Sequence, residues 1–72
     1  MPLRIAVPVI ERTTEEALYY MERVLKMAES EKLPVEYVIE IRLDFMERPD
    51  VRRLLRGSPL PKIATNRVKP EG

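Results

Sequence analysis

The chain has 72 residues, room for one small domain or a piece of a larger one, since domains usually run to about 100 to 150 residues. Charged residues make up 35% and hydrophobic ones 44%, which excludes a disordered polar chain, and 13 basic against 12 acidic side chains leave a net charge of +1, too small a field to draw the whole chain to nucleic acid or an anionic membrane. Cysteine is absent, so disulfides, thiolate metal sites and cysteine nucleophiles are excluded, and no apolar run approaches the roughly 20 residues of a membrane span or carries the core of a signal peptide, so the chain is expected to be soluble and cytoplasmic.

Leu3 to Val9 is a short apolar run flanked by prolines, which predicts a first strand over 3–9 with Leu3, Ile5, Val7 and Val9 on one face. Thr13-Thr14-Glu15-Glu16 matches a capping box and makes Thr13 the N-cap of a helix over 14–31. Ala17, Leu18, Met21, Val24, Leu25 and Ala28 recur at spacings of three and four along it, giving one apolar stripe, and Leu33-Pro34 ends it. A second strand is expected over 36–44, its residues alternating so that Tyr37, Ile39, Ile41 and Leu43 point one way and Val38, Glu40, Arg42 and Asp44 the other. Pro49 opens and Gly57 closes a short helix over 50–56, with Val51, Leu54 and Leu55 as its buried side and arginines in its last turns, where cations complement the helix dipole. Ser58-Pro59-Leu60-Pro61 reads as a turn, and 62–67 as a third strand. The order is βαβαβ, a pattern that predicts parallel, adjacent strands joined by helical crossovers in an α/β fold.

Three charges on one face of a strand otherwise built for burial are unusual. Ligands of parallel α/β sheets bind at the carboxyl ends of the strands, and there Glu40 and Arg42 of the second strand would meet Arg67 at the end of the third, with Glu71 four residues on. Arginine offers a fixed fork of donors and carboxylates accept from hydroxyls, so the set suits a small oxygen-rich anion. Mutual ion pairing would satisfy the same residues without a ligand.

The segments Glu40-Ile41-Arg42-Leu43-Asp44 and Thr65-Asn66-Arg67-Val68-Lys69-Pro70-Glu71-Gly72, in this order behind a strand and a capped helix, resemble the amino-terminal part of type I 3-dehydroquinate dehydratase. That family is a (β/α)₈ barrel which converts 3-dehydroquinate to 3-dehydroshikimate in the shikimate pathway, through a Schiff base between a lysine and the substrate ketone, a histidine moving the protons. The resemblance implies that Glu40, Arg42 and Arg67 contact the substrate's hydroxyls and that Glu71 orients and polarises the histidine, while Asp44 acts through its neighbours. It also implies a TIM-type barrel of which 1–72 is one partial domain, about the first third. The sequence departs from the family in having no histidine, and none of Lys26, Lys32, Lys62 or Lys69 matches the Schiff-base lysine, which lies on a later strand. The chain by itself is therefore expected to be inactive. Its partners would be the substrate and either the rest of the barrel or further copies, met through unpaired sheet edges.

Other classes remain. A non-catalytic α/β module could keep Glu40, Arg42 and Arg67 to bind a small polyhydroxy acid or a protein. Nucleic-acid binding through Arg52, Arg53, Arg56 and Lys62 lacks interleaved aromatics. The carboxylates Glu11, Glu15, Glu16 and Asp44 are scattered and unaccompanied by His or Cys, so no metal and no cofactor are expected.

Overall fold

The computed structural model describes residues 3–66, which form a small α/β unit. In chain order the elements are β1 (Leu3–Val9), α1 (Thr14–Ser30), β2 (Val35–Arg42), a 3₁₀ turn (Leu43–Phe45), α2 (Val51–Arg56) and β3 (Lys62–Thr65). The strands lie side by side in the order β1-β2-β3, all parallel, with Val9 opposite Ile41 and Ile41 opposite Ala64.

Both helices cover the same face of the sheet. Val9, Ile39 and Ile41 from the strands meet Ala17, Met21 and Val24 of α1, Met46 of the following loop and Leu54 of α2 in one buried cluster. The α1 stripe thus packs as its spacing requires, with Leu18, Leu25 and Ala28 half-buried at its margins. Thr13 caps α1 as expected, its hydroxyl accepting from the Glu16 N–H at 3.1 Å and donating to the Glu16 carboxylate at 2.9 Å. The helix stops one residue sooner than the sequence pattern suggests. Glu31 is its C-cap, and its carboxylate accepts from the N–H groups of Lys32 and Leu33.

Four further expectations need correction. The second strand ends at Arg42 instead of Asp44, because Leu43–Phe45 winds into a turn that closes with the Met46 N–H on the Leu43 carbonyl. Asp50 is not the first residue of α2 but its N-cap, accepting from the Arg53 N–H. Of the apolar trio assigned to α2, Leu54 alone is buried; Val51 and Leu55 are 39% and 47% exposed. The third strand, expected over 62–67, ends at Thr65, and Asn66 already lies outside it.

The loops after β1 and β2 are joined by a seam. Arg12 pairs with Glu47 at 2.7 Å, and the Glu47 N–H donates to the Arg12 carbonyl at 2.8 Å. The Asp50 N–H donates to the buried Thr14 hydroxyl at 2.9 Å, and Arg53 pairs with Glu15 at 3.0 Å. The start of α2 is thereby tied to the start of α1. At the other end of α2, Gly57 lies so close to α1 that a Cβ there would collide with Leu18 Cδ2 and crowd the Arg53 carbonyl at 3.1 Å.

Candidate functional site

The sheet face opposite the helices carries the side chains of the other alternation: Pro8 from β1, Val38, Glu40 and Arg42 from β2, and Ile63 and Thr65 from β3. No described element covers it. Pairing puts Pro8, Glu40 and Ile63 in one row and Arg42 beside Thr65 in the next, so charge and hydroxyl gather at the carboxyl ends of the strands. The amino end of the same face holds an exposed Arg4–Glu36 pair at 2.9 Å.

Arg42 is the best-positioned group. The turn after β2 swings Asp44 back so that its carboxylate takes both prongs of the guanidinium, Nε at 3.2 Å and Nη2 at 2.8 Å, and the two side chains are only 17% and 16% exposed. The guanidinium also stands 4.9 Å from the centre of the Phe45 ring. Hydrogen bonding to Asp44 raises the Arg42 pKa above its ordinary value; burial opposes this, and the charges of Asp44 and Glu40 add to it. Arg42 is therefore a permanent cation in a fixed orientation. A guanidinium has more N–H groups than these two bonds use, so donors remain for a ligand oxygen. Glu40 is half-buried two residues earlier on the same face and acts on Arg42 through its charge.

The structure thus brings together Glu40, Arg42 and Asp44 as the alternation implies, although Asp44 arrives by a turn and not along the strand. Ion pairing, the alternative to a ligand, is real for Arg42 and Asp44. Arg67 and Glu71 lie outside the described residues. Sequence reasoning missed Phe45 and Thr65; the spacing of three from Arg42 to Phe45 would have signalled the ring contact had the turn been recognised. Lys62 belongs elsewhere. It pairs with Ile39 on the helix-covered face, and its ammonium donates to the carbonyls of Ser58 and Leu60, burial lowering its pKa.

Over 52 residues the chain is 50% identical to a 3-dehydroquinate dehydratase of Methanothrix thermoacetophila, and the matched stretch is 71% of this chain but 22% of that protein. No family profile and no solved structure matches the chain.

Proposed function

We propose that this chain is the amino-terminal part of a type I 3-dehydroquinate dehydratase, in which later β/α units extend the sheet from the β3 edge into a (β/α)₈ barrel with the bare face inside. The similarity over 52 residues to a protein of that activity carries the reading. Two features of the fold support it. Consecutive strands are neighbours with both helices on one face, as in the opening turns of such a barrel, and the charged groups sit at the carboxyl ends of the strands, where barrel enzymes hold their substrates.

In this reading Glu40 accepts from a substrate hydroxyl, Arg42, held by Asp44, donates to a substrate oxygen, and Arg67 is a third substrate-contacting residue. The Arg42 guanidinium is oriented by Asp44 before substrate arrives, which lowers the entropic cost of alignment. Glu71 orients the histidine. The lysine that condenses with the ketone, releasing water as the C=N bond forms, and the histidine that carries the proton come from later strands.

The test is turnover of dehydroquinate by the chain alone and by the chain mixed with a polypeptide carrying the later strands, followed by borohydride reduction. Activity is expected in the mixture only, with the reduced adduct on a lysine of the second polypeptide. No turnover in the mixture, together with binding of a polyhydroxy acid by this chain alone, would replace the dehydratase by a non-catalytic binding module.

A further inference from the structure

On the helix side of the sheet, α1 and α2 flank a groove of about 550 Å³. That size is within the roughly 300 to 1,000 Å³ typical of pockets for small organic ligands. Its two walls differ in chemistry. From α1 come the half-buried Leu18 and Leu25 and the exposed ring of Tyr19; from α2 come the guanidinium groups of Arg52, Arg53 and Arg56.

Some of the charge there is already matched. Arg53 is held by Glu15 at 3.0 Å, and Glu22, a carboxylate that also lines the groove on the α1 side, faces Lys26 at 3.8 Å. Arg52 and Arg56 are four residues apart and so share one side of α2, and neither makes a hydrogen bond or ion pair with any described residue. The helix dipole accounts for a cation at Arg56, in the last turn, but not for Arg52 or for the apolar wall beside them.

We propose that this groove binds a small organic anion, its aromatic or alkyl body lying on Leu18, Leu25 and Tyr19 and its carboxylate or phosphate gripped by Arg52 and Arg56. The site lies across the sheet from Glu40 and Arg42, so it stands or falls independently of the dehydratase reading.

The experiment is an amide-resolved NMR titration of the full chain with phenyl phosphate, with inorganic phosphate and phenol as the two halves of the probe. Saturable shifts are expected at Leu18, Tyr19, Leu25, Arg52 and Arg56 with phenyl phosphate. Each half alone should bind about tenfold more weakly, as should the double variant Arg52→Gln/Arg56→Gln, which loses two charge-assisted contacts. Both arginines are exposed, so the variant's spectrum should otherwise be unchanged; Tyr19→Ser, at an equally exposed position, tests the apolar wall separately. Equal binding of inorganic and phenyl phosphate, shifts confined to the open sheet face, indifference to both variants, or binding of an acidic peptide in place of phenyl phosphate would each overturn the proposal.

Discussion

Arg48 holds a φ of 47°, inside the left-handed region that costs a residue with a Cβ roughly 1 to 2 kcal/mol, and it does so immediately before Pro49, which narrows its options further. It is tolerated because Glu47 on one side is anchored to Arg12 and Asp50 on the other to Thr14. Arg48→Gly should therefore raise stability by about 0.5 to 1 kcal/mol, the relief of strain being partly offset by glycine's greater freedom in the unfolded chain. A urea melt of the variant beside the parent reads this directly. Glu15 gives a second test at this scale. Its carboxylate sits in the first turn of α1, and its backbone N–H, then the Arg53 hydrogen bond, hold its pKa below the ordinary glutamate range. A carboxylate with a depressed folded pKa contributes stability above its unfolded value, and that contribution is lost as pH falls through the folded one. The thermal midpoint should fall on acidification below about pH 4.5, and Glu15→Gln should flatten that fall.

Between elements, the Thr14 hydroxyl ties the start of α2 to α1. Thr14→Val keeps the shape but leaves the Asp50 N–H without its acceptor, a loss of about 1 to 2 kcal/mol, whereas Thr14→Ser should retain most of the stability. Urea midpoints of the two variants separate the hydroxyl from the methyl. Most of the element order was legible in the sequence because it is written in local signals: Thr13 as a cap, the α1 stripe, and the alternation through Tyr37, Ile39 and Ile41. The ends were less so. The strand and the turn after Arg42 share the same alternating pattern, and the apolar spacing in α2 reads as a helical stripe although only Leu54 of it is buried. That Glu40 and Arg42 share one face of β2 followed from their spacing of two; the route by which Asp44 reaches Arg42 depends on the turn, which no residue type in Leu43–Phe45 announces.

For the whole molecule, the bare sheet face and its two edge strands set the behaviour in solution. Ile63 is 56% exposed there, in the row of Pro8 and Glu40, and β1 and β3 each present an unpaired edge among the described residues. Self-association that rises with concentration is expected in sedimentation velocity, and Ile63→Lys should reduce it by putting a charge on that face at the β3 edge. The seam between the two loops has a consequence for motion as well. A helix as short as α2 has no standing of its own, being far below the length at which isolated helices persist. What keeps it wound is the hydroxyl and the carboxylate it takes from α1 and the leucine it gives to the core. The amides of 12–15 and 47–54 should therefore open to hydrogen exchange as one cooperative unit, so that whatever loosens the rim of the open face also unwinds the helix behind it.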